Sequence, residues 1–275
     1  MKKIFITYGD TKFAKAKERI LREALSTQWF DVIRGYSPDD ISDALRDSGL
    51  MEIPRGGGLW AWKPDVIVRT MDEFHDGDIL VYADSGCTLT PGSEWDRYAS
   101  ILREYDIIGS RIFQTTENWT RKEILDAFND NPYGWQFDRQ YCATIVIVVI
   151  SPFTRKFMYE WRDTMIAHPR LVMDVLPEER PMQHASLIEN RHDQSIYSAL
   201  MYKYLQSGRI YSMREHIEDY DVFSHQAIRA TRLRNGEPEP SGNRVRGAVK
   251  RILKTLLLTP KYFFTYHWKK LSADL

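Results

Sequence analysis

The sequence predicts an α/β protein, a mixed sheet with helices on both faces. Three observations lead there. Lys3 to Tyr8 and Asp78 to Tyr82 are short, largely apolar runs rich in β-branched and aromatic residues, as strands buried on both faces must be. Stretches with apolar residues at helical spacing separate such runs, so strands and helices alternate along the chain. A content of 43% hydrophobic and 28% charged residues over 275 positions gives enough apolar surface for a full core, which excludes a disordered chain.

Taken in order, Lys3 to Tyr8 runs as a strand into the turn residues Gly9 and Asp10. Phe13, Ala16, Ile20, Leu21 and Ala24 then form the apolar face of a helix over Lys12 to Leu25. A short strand is expected at Asp31 to Arg34, and a helix starting near Pro38, Asp39 and Asp40, whose acids suit a helix N-terminus. Arg55 to Gly58 reads as a flexible loop, and Trp60 to Met71 as a helix with Pro64 in its first turn. The strand Asp78 to Tyr82 ends at Ala83-Asp84-Ser85-Gly86-Cys87. Beyond it the pattern predicts a helix over Glu94 to Tyr105, strands at Asp106 to Gly109 and Ala143 to Ile150, and a helix over Pro152 to His168. Residues 169–189 read as loop with short helical pieces, followed by a helix from Asp193 to Gln206 and a strand at Arg209 to Met213. The Pro/Gly-rich stretch 237–242 reads as a linker between a domain at 1–236 and a segment at 243–275.

Lys plus Arg and Asp plus Glu number 38 each, but the balance is uneven. Between 241 and 270 there are eight basic residues and no acidic one. Ala248, Val249, Ile252, Leu253, Leu256 and Leu257 fall on one helical face there and Arg246, Lys250, Arg251 and Lys254 on another, with aromatic residues following. Such a basic amphipathic segment suits an anionic membrane surface. The alternative is a helix packed on the domain with a solvated basic face. Its apolar face fits a bilayer better than nucleic acid. Two cysteines, Cys87 and Cys142, make neither a disulfide framework nor a zinc motif, and the first residues read as strand rather than leader. A cytoplasmic protein, peripheral at most on the inner face of the membrane, is expected.

Four places carry candidate chemistry. Asp84 stands at a strand end, with small Ser85 and Gly86 beside it, a setting that suits a divalent metal on a diphosphate; the alternative is an Asx-turn. In Gly56 to Lys63, Trp60 and Trp62 offer flat surface for a sugar or base and Lys63 a cation for phosphate, unless the tryptophans are core. Asp193 and Gln194 suit sugar hydroxyls, although Asp193 alone would serve as a helix N-cap. His225 is either structural or a ligand reaching the same crevice. The glycine run matches neither a phosphate-binding Gly-Lys-Ser/Thr loop nor GxGxxG, which disfavours P-loop kinases and typical dehydrogenases.

The order of these pieces is more specific than any one of them. Thr7-Tyr8-Gly9, then GGGLWAWKP, then YADSGC, then RHDQS before a helix resembles bacterial nucleotide-sugar-dependent glycosyltransferases of the GT-A fold, of the surface-polysaccharide type. The resemblance spans most of 3–230 and implies a GT-A-like, Rossmann-like sheet with the basic helical segment as an appendage. It implies Mn2+ or Mg2+ at Asp84 with His225, although Gly86 stands where a second Asp is usual. It further implies donor contacts from Thr7, Tyr8, Gly9, Trp60, Trp62, Lys63, Asp84, Ser85 and Gly86, with Asp193 and Gln194 as the catalytic pair beside the donor sugar, as in retaining galactosyltransferases, the course favoured here; in an inverting enzyme an acid near this position would be the general base. A UDP-sugar donor and a saccharide acceptor, lipid-linked if the membrane reading holds, follow from the same resemblance. The competing readings are a sugar nucleotidyltransferase and a non-catalytic carbohydrate-binding relic of the fold.

Overall fold

A computed structural model describes residues 1–128, 134, 138–214, 217 and 226–234. The linker 237–242, the segment 243–275 and His225 lie outside the described residues. The main sheet contains β1 (Lys3–Tyr8), β2 (Val32–Tyr36), β3 (Ile79–Ala83), β5 (Ile107–Thr115), β6 (Arg139–Tyr141), β7 (Ile145–Val149) and β8 (Ile210–Arg214). A second, two-stranded sheet pairs β4 (Thr88–Leu89) with β9 (Ile228–Arg229). In the main sheet β2, β1 and β3 are parallel neighbours, β7 is antiparallel to both β3 and β5, and β8 is parallel to β5. Along β5, β7 and then β6 occupy one side while β8 occupies the other.

The apolar strands are explained by what covers them. Ile4, Ile6 and Tyr8 of β1, Leu80 and Tyr82 of β3 and Val146 and Val148 of β7 face one core, with the helices Trp62–Glu73, Pro152–Ala167 and Asp193–Tyr204 over them. The alternate residues, Phe5, Ile79, Val81, Ala83, Ile145 and Ile147, face a second core under the helices Ala14–Ser26 and Glu94–Ile101. Period-two alternation thus divides each strand between two buried faces.

Most expected elements are present with shifted ends. The strand expected at Asp106 to Gly109 runs on to Thr115, because β8 and then β6 keep supplying partners. The helix expected near Pro38 is a short 3-10 turn, Pro38–Asp40, followed by the helix Asp43–Asp47. Residues 169–189 hold only short helical pieces, Pro169–Val172 and Pro177–Met182.

Arg55 to Gly58, expected as a flexible loop, adopts a defined backbone conformation. Five consecutive residues, Gly56, Gly57, Gly58, Leu59 and Trp60, have positive φ, between 53° and 101°. They wind as a left-handed turn, closed by Leu59 N donating to the Arg55 carbonyl at 2.8 Å. Three glycines lower the steric cost of that winding. At Gly56 a Cβ would lie 2.4 Å from the Trp60 ring, so glycine is also required by close approach.

Candidate functional site

The chain leaves β1 to form β2 on one side and later returns to place β3 on the other. The switch in strand order therefore lies between β1 and β3. At such a point two adjacent strand ends lead their loops apart and open a crevice beyond the sheet. The Thr7 hydroxyl donates to the Ala83 carbonyl at 2.8 Å across this junction. Tyr8 and Gly9 continue one lip, Asp84 and Ser85 the other.

Strand periodicity puts Tyr82 and Asp84 on the same face, toward the helices Trp62–Glu73 and Asp193–Tyr204. The Tyr82 hydroxyl donates to Asp84 Oδ1 at 2.6 Å. Burial, and after it the Asp84 charge, keep the Tyr82 phenol well above its ordinary range, so it remains a donor. Lys63, in the first turn of its helix and only 3% exposed, places Nζ 2.7 Å from Asp193 Oδ2 and 3.4 Å from Asp84 Oδ1. Burial alone would pull Lys63 down, but Asp193 and Asp84 outweigh it and its pKa is raised. Burial raises the Asp193 carboxyl, and Lys63 offsets only part of that rise, so Asp193 stays above the ordinary carboxylate range. The arrangement sets one buried amine between two carboxyl groups at the mouth of the crevice.

The sequence-predicted residues converge here, though not all as contact surfaces. Thr7 is fully buried and joins strands rather than facing the crevice. Tyr8 and Trp62 stack on each other, with ring centroids 4.0 Å apart and planes 14° off parallel, and both are largely buried. Trp60 stacks on His192, with centroids 5.2 Å apart. Asp193 is not the N-cap of its helix: His192 holds that position and the Asp193 carboxylate turns to Lys63. Gln194 is fixed at both ends, its Oε1 accepting from Ala143 N at 3.3 Å and its Nε2 donating to Gln140 Oε1 at 2.8 Å.

Gly86 does allow a close approach, but by the chain itself. A Cβ there would meet Arg232 Cα at 3.3 Å, and the Gly86 carbonyl accepts from the Thr231 hydroxyl and Leu233 N. An aspartate at this position would press on that backbone, which is a packing reason for the absence of a second acid.

Arg19 was not anticipated. It is 4% exposed and donates to the carbonyls of Ser85 at 3.1 Å and Cys87 at 2.7 Å, with Glu23 beside it at 2.7 Å. It holds the backbone that carries Asp84 from the opposite face of the sheet. A signal was available, since Arg19 falls on the buried stripe Ala16, Ile20 and Ala24. Gln140 was also missed. It is fully buried and links Gln194 to Trp119 and Thr120.

No known protein family and no curated protein matches the sequence. Among solved structures, the fold is similar to a galactosyltransferase, LgtC, determined with donor and acceptor sugar analogues, at 11% identity over 86% of this chain and 84% of that one, TM-score 0.43. It is also similar to the glycosyltransferase GlyE of Streptococcus pneumoniae, at 11% identity over 81% and 47%, TM-score 0.41. Mouse xyloside xylosyltransferase 1 is a third, at 8% identity over 82% and 96%, TM-score 0.41.

Proposed function

We propose that this chain is a glycosyltransferase that moves a hexosyl group from a nucleoside-diphosphate sugar, a UDP-sugar foremost, to a saccharide acceptor in surface-polysaccharide synthesis. The observation that carries this reading is the buried Lys63 ammonium, held by Asp84 and Asp193 at the β1/β3 switch point. A diphosphate leaving group gains negative charge as the glycosyl bond breaks. A cation fixed in a water-poor crevice stabilises that charge without having to reorganise.

The donor set suits a divalent ion carried mainly by the diphosphate. Asp84 is 27% exposed, and among the described residues its Oδ2 has no hydrogen-bond partner, so one carboxylate oxygen is available. Bound there, Mn2+ or Mg2+ would add positive charge at the leaving oxygens. His225 remains our proposed further ligand. Tyr82 and Lys63 orient Asp84 through its other oxygen, Arg19 fixes the backbone beneath it, and Gln140 sets Gln194.

Asp193 is hydrogen-bonded to a buried ammonium, so accepting an acceptor proton would cost it that partner. This supports a retaining course over one with Asp193 as general base. A nucleotidyltransferase fits less well, because the turn after β1 offers no free phosphate cradle: Asp10 Oδ1 already accepts from Lys12 N at 2.9 Å and Phe13 N at 3.1 Å.

The acceptor reading rests on the sequence of 243–275. There the basic amphipathic segment 244–270 suits peripheral binding to an anionic inner leaflet and hence a lipid-linked acceptor. Among the described residues no helix is long and apolar enough to cross a membrane. Full-length protein should float with anionic liposomes, and protein left at the bottom of the gradient would remove the membrane from the proposal.

Thermal shift with UDP-, GDP-, CMP- and dTDP-sugars, with and without manganese, tests the function directly, since a ligand selective for the native state raises the melting temperature. No shift with any donor would favour the non-catalytic relic. Asp84→Ala should lower turnover by about 100-fold or more while the protein remains folded. Unchanged turnover would take Asp84 out of the site.

A further inference from the structure

The loop that precedes Asp193 contains a second polar cluster that the donor crevice does not use. His192 sits at φ 51°, ψ −119°, a backbone region unfavourable for a non-glycine residue, so surrounding structure must hold it there. Its Nδ1 lies 2.7 Å from the Val172 carbonyl. A carbonyl only accepts, so Nδ1 carries a proton, and in the singly protonated ring the lone pair lies at Nε2. The side chain is 3% exposed, and Nε2 is buried without a hydrogen-bond partner. It faces Asp174 Oδ1 at 3.7 Å, too far for a hydrogen bond. A buried lone pair directed at a carboxylate is unfavourable unless a proton or a metal cation lies between them, and a metal cation would also engage Glu189 beside it.

We propose that Asp174, Glu189 and His192 bind a zinc-type divalent cation on the rim of the crevice. One donor atom from each residue lies within 4.8 Å of the other two. Tetrahedral zinc, with bonds of about 2.0–2.2 Å to nitrogen and oxygen, sets its ligand atoms about 3.4 Å apart. The two acids are 45% and 32% exposed and can close that difference by leaving Arg55 and, for Glu189, Arg191. One imidazole with two carboxylates is a donor set for zinc and its transition-metal neighbours, whereas magnesium and calcium prefer oxygen alone. The bond from Nδ1 to the Val172 carbonyl is the supporting contact that orients a ligating imidazole. Three protein ligands leave a fourth position open. Arg55, 44% exposed, presently reaches both acids, and the ion would displace this solvent-exposed guanidinium. Once bound, it would tie residues 174 and 189 to the residue that precedes Asp193. The site stands apart from the sugar-transfer reading.

The test uses full-length Asp84→Asn protein, which removes the partly exposed carboxylate of the donor crevice and leaves Asp193 on Lys63, titrated with zinc chloride in a calorimeter. A one-site isotherm is expected, weakened at least tenfold in the additional Asp174→Asn/Glu189→Gln variant, since loss of a direct ligand should match or exceed the 10–100-fold effect of losing a supporting contact. Zinc-edge absorption spectra of the loaded Asp84→Asn protein should show a single imidazole among oxygen ligands, and this measurement needs no change at the rim. Absence of zinc binding would make Arg55 the permanent counter-ion and overturn the proposal. Equal binding in the rim variant, or a sulfur or a second imidazole in the spectrum, would place the ion elsewhere and overturn it as well.

Discussion

Lys63 and Arg55 each lie between two carboxylates, and they differ chiefly in solvent. Lys63 is 3% exposed between Asp84 and Asp193; Arg55 is 44% exposed between Asp174 and Glu189. At the rim each charge is well hydrated alone, so pairing contributes about 0–1 kcal/mol. In the crevice, removing one partner leaves a charge in a place that water does not reach, at a cost of about 3–5 kcal/mol. Similar geometry therefore has two uses. The buried cluster is a fixed electrostatic wall, and the exposed one is exchangeable.

Lys63→Met is the strongest way to break that comparison. It should lower stability at neutral pH by about 3–5 kcal/mol in a denaturant titration, because Asp193 loses its partner while still buried. The loss should also depend on pH. Without Lys63 the lowering influence of the ammonium is gone while burial, and after it the Asp84 charge, still raise Asp193, so its folded pKa lies further above the unfolded value. Protonation then favours the folded state, and the deficit shrinks as pH falls toward 4. A small, pH-independent loss would mean that the crevice is wetter than its burial implies.

Gly56→Ala sharpens the comparison by acting on the turn that precedes Lys63 without touching a charge. The added Cβ would fall 2.4 Å from the Trp60 ring at a φ of +62°. The ring must move away from His192 or the backbone must unwind, at a cost of about 1–3 kcal/mol. Thermal denaturation reads this, and a wild-type melting temperature would show that the left-handed turn has slack.

The turn also marks where the sequence stopped being legible. Strands such as Ile79–Ala83 could be read because burial on both faces leaves an apolar run. The glycines at 56–58 signalled freedom of φ but not the fixed conformation that uses it. For Asp193 the sequence offered a sugar contact or, locally, a helix cap, whereas its partner in the fold is Lys63, 130 residues earlier. Long-range pairing likewise hid β6, β4 and β9, whose two or three residues carry no period of their own. Arg19 was visible as a cation on an apolar stripe, but its acceptors are backbone carbonyls, which have no sequence signature.

Arg121 and Glu123 are the intermediate case. The arginine is fully buried and its partner 42% exposed. The Arg121 hydrogen bonds, helped by Gln183, hold the Glu123 carboxyl at about 2, below its ordinary 4.5. A lowered acid contributes stability above its unfolded pKa and loses it as pH falls through the folded value, so this contribution fades between about pH 5 and 2. Exposure limits it to about 1 kcal/mol. Glu123→Gln should therefore show a shallower acid-induced fall in melting temperature than wild type, and an identical slope would remove the pair from the acid response.

Arg55→Gln should have the smallest effect on folding. Its guanidinium makes two ion pairs, but both partners are at least 32% exposed and hydrate readily once it is gone. The expected change is below about 1 kcal/mol and should shrink further in 0.5 M salt, where exposed charges are screened. A loss above about 2 kcal/mol, insensitive to salt, would mean that Arg55 is held by its carboxylates as firmly as Lys63 is by its own. The contrast between wall and exchangeable rim would then fail, and with it the room for any other cation between Asp174 and Glu189.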